Sequence, residues 1–176
     1  MQNEILINTA DIGTYAEKLS AGQRVYLSGN VYTARDAAHK RLVRMIEDGE
    51  TLPFDLFGST IYYAGPTPAP EGMVIGSCGP TTSGRMDIFT PKLLDKGLKA
   101  MIGKGKRNQD VVDSMVKNKA VYFCAVGGAG ALASKCIISA KVIAFEELGC
   151  ESIKELVFDE FPLTVAVDST GKSIIK

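Results

Sequence analysis

Gly79-Pro80-Thr81-Thr82-Ser83-Gly84-Arg85-Met86-Asp87 is the stretch around which the chain is organised. It follows the apolar run Met73-Val74-Ile75-Gly76 and precedes a helical pattern. Two glycines and a proline make it a shaped loop rather than a continuation of either neighbour. Three hydroxyl side chains, Thr81, Thr82 and Ser83, stand just ahead of Arg85. Hydroxyls and exposed backbone N–H groups can surround an anion, and arginine can grip a carboxylate or phosphate through two parallel bonds. The plain alternative is a polar turn with a surface arginine.

Moving outward and upstream, residues 4–9 and 23–28 are rich in strand formers, the second run closed by Gly29-Asn30, and Met73 to Ser77 reads as a strand leading into the central loop. Thr33 followed by Asp36 resembles a capping box and predicts a helix from about Ala34 to Asp48, with Ala38, Leu42, Met45 and Ile46 on one face and Gly49 as the stop. Arg35 then lies in the first helical turn, where unpaired N–H groups favour a bound anion; a solvated arginine is the alternative. Asp36 is most economically a cap. His39 is read as a helix-face or core histidine, with a ligand-side role as the alternative. Ile61 to Ala64 is a strand, and residues 65–72 form a rigid proline-rich loop.

Downstream, Thr90-Pro91 predicts a helix start, and Leu94, Leu98, Met101 and Ile102 predict that the helix continues to Gly103. Gly103-Lys104-Gly105-Lys106-Arg107 lets the backbone approach a ligand closely while Lys104 delivers a charge; alone, such a turn is usually a solvated helix end. A short helix over 109–118 and a buried strand over 120–126 follow. The tract Gly127-Gly128-Ala129-Gly130-Ala131 lacks the order of a dinucleotide fingerprint. Residues 136–145 are extended, 151–156 a short helix or turn, and 156–158 and 161–167 two strands, with Lys172 to Ile175 closing a terminal hairpin. The mixture is α/β, with sheet segments at both ends and helices in the middle.

The chain has 176 residues, so a single domain over 1–176 is expected. Twenty basic and twenty acidic residues cancel, which disfavours nucleic acid and anionic membranes as partners. With no apolar span or leader pattern, the expected location is the cytoplasm. Cys78, Cys124, Cys136 and Cys150 show no paired spacing, and His39 is the only histidine, so a metal or cluster held by this chain alone is not expected. Cys78 touches the central loop, but packing explains it better than chemistry. Arg35, Arg85 and Lys104 suit a small dicarboxylate if their turns converge, yet no acid–base pair accompanies them. Half an active site suggests a partner subunit.

The central loop resembles the signature of the beta subunit, or C-terminal domain, of the iron–sulfur hydro-lyases, class I fumarate hydratase and L(+)-tartrate dehydratase. Further motifs carry the resemblance in order: Leu27-Ser28-Gly29, Thr33 to His39, Tyr63-Ala64-Gly65-Pro66, Gly103-Lys104-Gly105, Gly127-Gly128-Ala129, Glu147-Leu148-Gly149 and Phe161-Pro162-Leu163. It implies a swivelling β/β/α domain with mixed sheets and flanking helices. It also implies an alpha subunit that carries a [4Fe–4S] cluster, none being bound by this chain, in a hetero-oligomer such as a dimer of alpha–beta pairs. By the same resemblance Arg35, Thr81, Thr82, Arg85 and Lys104 bind substrate, with Arg35, Arg85 and Lys104 on its carboxylates. Thr81 and Arg85 are catalytic, Thr81 taking the C3 proton of malate. Lys104 is preferred to Lys106 because it lies between two glycines. Fumarate hydration is the leading expectation. Tartrate dehydration, a non-catalytic dicarboxylate-binding module, and a sugar- or nucleotide-phosphate binder are the alternatives.

Overall fold

The computed structural model describes residues 4–125 and 130–175. Seven strands form one mixed sheet: β1 (Ile5–Asn8), β2 (Arg24–Thr33), β3 (Thr60–Tyr62), β4 (Ala100–Gly103), β5 (Val121–Cys124), β6 (Ile137–Ala144) and β7 (Ile153–Val167). Their order is β1-β2-β3-β4-β5-β7-β6, and β2 also pairs with β7. That extra pairing closes β2, β3, β4, β5 and β7 into a barrel-like ring, with β1 and β6 extending from it. β1 to β5 run parallel, whereas β7 is antiparallel to β2, β5 and β6.

The short central strands are buried on both faces, as parallel strands under helices should be. Alternate residues enter two different cores. Tyr62, Ile102 and Phe123 join Leu27, Val31, Phe158 and Phe161 inside the ring. Ile61, Met101 and Tyr122 face outward against α2 (Asp36–Asp48), α3 (Thr90–Asp95) and α4 (Gln109–Asn118). The result is a helical layer over a two-walled β structure, the β/β/α order expected. Two single-turn helices, α1 (Ile12–Tyr15) and α5 (Gly130–Ala133), and short 3₁₀ turns complete the described elements, with Ile12 and Ala133 packing on the inner core.

Several local readings are corrected. The helix from Thr90 stops at Asp95, and Ala100–Gly103 is β4, because a turn at Gly97 (φ 100°) separates them and Ala100 pairs with Thr60 and Val121. Central strands are therefore interleaved with the helices. β2 continues past Gly29-Asn30 to Thr33, absorbing a register shift between Leu27 and Gly29. Glu151 ends a 3₁₀ turn, Glu146–Glu151, and from Ile153 onward the expected helix or turn and the two separate strands are instead one strand, β7, in which Glu160 takes φ 47°. Met73 to Ser77 is irregular, and the C-terminal hairpin reduces to one bridge between Val167 and Ser173. Of the Gly127–Ala131 tract, residues 127–129 lie outside the described residues.

The helix ends also differ. α2 begins at Asp36, and Thr33 does not cap it: the Thr33 hydroxyl donates to Ser152 O and accepts from Lys154 N, tying β2 to β7. Glu151, distant in sequence, lies 3.5 Å from Ala37 N and supplies an acceptor at that end. Thr90 is the first residue of α3, its hydroxyl directed to Met86 O rather than to its own helix start. The stop at Gly49 is as read, in the left-handed conformation.

Candidate active site

Parallel registry decides where the loops gather. Thr33 lies opposite Tyr62, Tyr62 opposite Ile102, and Ile102 opposite Phe123. The segments after β2, β3 and β4 therefore leave from one edge, the carboxyl end of the strands, where α/β sheets place their ligands. The central loop is laid across that edge by its main chain. Thr81 N donates to Tyr63 O (2.6 Å), Ser83 N donates to Lys104 O (2.9 Å), and Thr82 bridges to Lys104.

This edge brings the expected residues together in two linked groups. Arg35 is the residue before α2, not within its first turn, and Arg85 sits in a single 3₁₀ turn, Ser83–Met86. Asp36 joins them: its Oδ1 accepts from Arg85 Nε at 2.9 Å, and its Oδ2 lies 3.7 Å from Arg35 Nη2. Asp36 is thus an arginine partner rather than a cap. The second group is Thr82 with Lys104, which follows β4, and Thr81 precedes Thr82 on the central loop. Thr82, Arg85 and Lys104 are exposed, while Arg35 and Thr81 are half-buried. Gly65 approaches Arg35 so closely that a Cβ there would come within 2.8 Å of Nη1.

Beneath this rim lies a buried support that sequence reading missed. Arg107, read as part of a solvated basic turn, is buried at 3% exposure. Its Nε donates to Asp87 Oδ1 (2.7 Å), Nη2 donates to Thr90 Oγ1 (2.9 Å) and Nη1 donates to the Tyr63 hydroxyl (3.2 Å). Its guanidinium also lies 5.2 Å from the Tyr63 ring centre and 5.0 Å from that of Tyr122. Asp87 Oδ2 accepts from Asn108 N (2.7 Å), so one carboxylate pins the end of the central loop to the start of α4. Ser83, counted among the ligand hydroxyls, points inward to hydrogen bond with the Tyr122 hydroxyl (2.8 Å), which is also 2.9 Å from Gly105 O. A Cβ on Gly103 would overlap Ser83 Oγ, so this glycine serves close approach within the protein rather than to a ligand.

His39 is fully buried between Tyr63 and Phe89, its Nδ1–H donating to Arg35 O (2.9 Å). Burial lowers its pKa to about 4, so it is a neutral core residue and not a ligand-side group. Cys78 is equally buried, and burial pushes its thiol up to about 12. Thiolates are what a cluster needs. Among the described residues no three His, Cys, Asp or Glu side chains are grouped to hold a metal ion. No helix among the described residues is long and apolar enough to cross a membrane.

Known proteins are similar to this sequence. It is 38% identical over 155 residues to an Escherichia coli protein named "Fumarate hydratase class I, aerobic", covering 87% of this chain and 28% of that protein. The similarity to "Putative L(+)-tartrate dehydratase subunit beta" of Methanocaldococcus jannaschii is 39% over 164 residues, or 90% of this chain and 84% of the relative. To "L(+)-tartrate dehydratase subunit beta" of Escherichia coli it is 32%, over 90% and 80%. The chain therefore spans about a quarter of the fumarate hydratases it matches and most of the tartrate dehydratase subunits. A family model described as "Fumarase C-terminus" matches residues 1–176, and with relatives of this identity the chain belongs to that family.

Proposed function

We propose that this chain is the beta subunit of a [4Fe–4S]-dependent hydro-lyase that reversibly hydrates fumarate to L-malate. The observation that carries the reading is the gathering of Arg35, Arg85, Lys104 and Thr81 at the carboxyl end of the parallel strands, with Arg85 and Lys104 on an exposed rim. Two guanidinium groups and an ammonium suit a small dianion. In the dehydration direction these cations hold the two carboxylates and stabilise the charge that develops beside the carbon losing its proton. Thr81, as its alkoxide, takes that proton, the C2–O bond breaks, and the departing hydroxide leaves as water when Thr81 returns the proton, the partner's cluster being the group that would supply Lewis acidity to that oxygen. A free threonine alkoxide is strongly disfavoured at neutral pH, and the neighbouring cations lower its cost.

The cluster belongs, in this proposal, to a separate alpha subunit, a division supported by the beta-subunit names of the relatives matched over most of their length. A second reading, L(+)-tartrate dehydratase, is favoured by the relatives matched over most of their length, which carry that name. The cations do not distinguish a malate from a tartrate hydroxyl. The test is anaerobic turnover of fumarate, L-malate and both tartrates by the chain alone and mixed with a cluster-loaded alpha subunit. Turnover of fumarate and malate only in the mixture supports the proposal, and preference for L(+)-tartrate selects the second reading. A stable, cluster-intact complex that turns over none of them, while the chain still binds dicarboxylate, overturns both in favour of a non-catalytic module.

A further inference from the structure

We infer that Asp36 is a positioning residue that fixes the separation and orientation of Arg35 and Arg85 so that the pair receives a dianion; the inference rests on the carboxylate-binding role proposed for those arginines. Each Asp36 oxygen faces a different guanidinium, Oδ1 at 2.9 Å from Arg85 Nε and Oδ2 at 3.7 Å from Arg35 Nη2. Arg85 is engaged through Nε, and its terminal nitrogens make no hydrogen bond among the described residues, which leaves them for a two-point grip. Without an intervening carboxylate the two cations repel each other and spread.

The backbone makes this arrangement stiff. Asp36 opens the 13-residue helix α2, and Arg35 immediately precedes it against the Gly65 main chain. The ordinary task of an acid in that first turn, satisfying a helix N–H, is performed by Glu151 at Ala37 N. Glu151 also lies 4.0 Å from Arg35 Nε, so charges alternate from Glu151 through Arg35 and Asp36 to Arg85. Asp36 Oδ2 and Arg35 Nε are buried without a hydrogen-bond partner among the described residues. A carboxylate kept in that state is poorly explained by stability, since partly exposed pairs contribute little. Geometry for a ligand explains it.

A positioning role and a mere neighbouring charge predict opposite signs. Removing a negative charge beside a dianion site strengthens binding if Asp36 is a bystander. If Asp36 sets the arginines, its removal weakens binding despite the more positive field. The experiment compares wild type, Asp36→Asn, Asp36→Glu and the control Asp48→Asn, which removes a charge from the far end of α2, each assembled with the cluster-loaded alpha subunit. Fumarate saturation curves are recorded, and succinate is titrated into the full chain with the arginine Nε–H signals followed by NMR.

For Asp36→Asn the expected result is a KM raised at least tenfold and kcat/KM lowered about 100-fold, the scale of a small misplacement of a binding group. Asp36→Glu should fall between, Asp48→Asn should match wild type, and succinate should bind Asp36→Asn more weakly. Equal or tighter succinate binding by Asp36→Asn, with KM unchanged or lowered, overturns the inference while leaving the dicarboxylate reading standing. Absence of saturable fumarate and succinate dependence in the wild type overturns that reading, and this inference with it. If Asp36→Asn does not fold, the Glu variant and the wild-type signals decide: an Arg85 Nε–H in fast exchange with water, and Glu indistinguishable from wild type, count against it.

Discussion

Arg85 shows how differently one side chain weighs on stability and on chemistry. Its side chain is 54% exposed and Asp36 is its single side-chain partner among the described residues, so Arg85→Ala should change folding stability by no more than about 0.5 kcal/mol. Turnover of the assembled enzyme should nonetheless fall by about 100-fold or more, the usual cost of removing a group that stabilises transition-state charge. Near-normal activity, with assembly intact by size-exclusion chromatography, would remove Arg85 from the site. His39 behaves in the opposite way. Held neutral with a pKa of about 4 in the folded chain against an ordinary 6.5, it binds a proton more readily when unfolded. Its contribution is present above pH 6.5 and is lost as pH falls from 6.5 towards 4, by about 3 kcal/mol in total. Urea midpoints should therefore drop over that interval, and His39→Leu should flatten the drop. An unaltered slope in the variant would show that other groups govern acid sensitivity.

The next scale is that of the loop and its support. Arg107 and Asp87 form a buried pair 20 residues apart, and Arg107→Met should cost about 3–5 kcal/mol because it leaves Asp87 buried without its partner. The double variant with Asp87→Asn should recover part of that loss in a denaturation cycle; strict additivity would mean that the two residues act separately. Gly103→Ala should detach Ser83 from Tyr122 and displace the central loop, visible as changed amide shifts from Thr81 to Asp87. These partnerships also mark where sequence reading stopped. The loop, the cations and Gly49 as a helix stop were legible because turn residues and charges act locally. The support was not, because a buried arginine looks like a solvated one until its distant acid is located. Likewise Leu94, Leu98, Met101 and Ile102 satisfy helical spacing, yet Gly97 turns the chain and pairing with β3 and β5 converts the last two into strand.

At the scale of the whole molecule, the two hydrophobic cores are opposite faces of the same strands. Tyr62 feeds one and Ile61 the other, and neither face can be assembled alone. Unfolding should therefore be a single transition, with coincident urea midpoints for far-UV circular dichroism and tyrosine absorbance. Separated midpoints would establish that the helical layer melts independently. β/β/α layering was implied by family resemblance, while the closing contact between β2 and β7 joins residues too far apart for any local pattern to announce.

That closing contact also has a consequence for synthesis. β2 and β5 both wait for β7, which is translated long after β2, so a ribosome carrying the first two-thirds of this domain holds a sheet with open edges and a wet interior. At an elongation rate of about 5–20 residues per second, that state lasts several seconds. During that time the nascent chain is most exposed to wrongful strand pairing, and Ile153–Val167 is the piece whose emergence ends the danger.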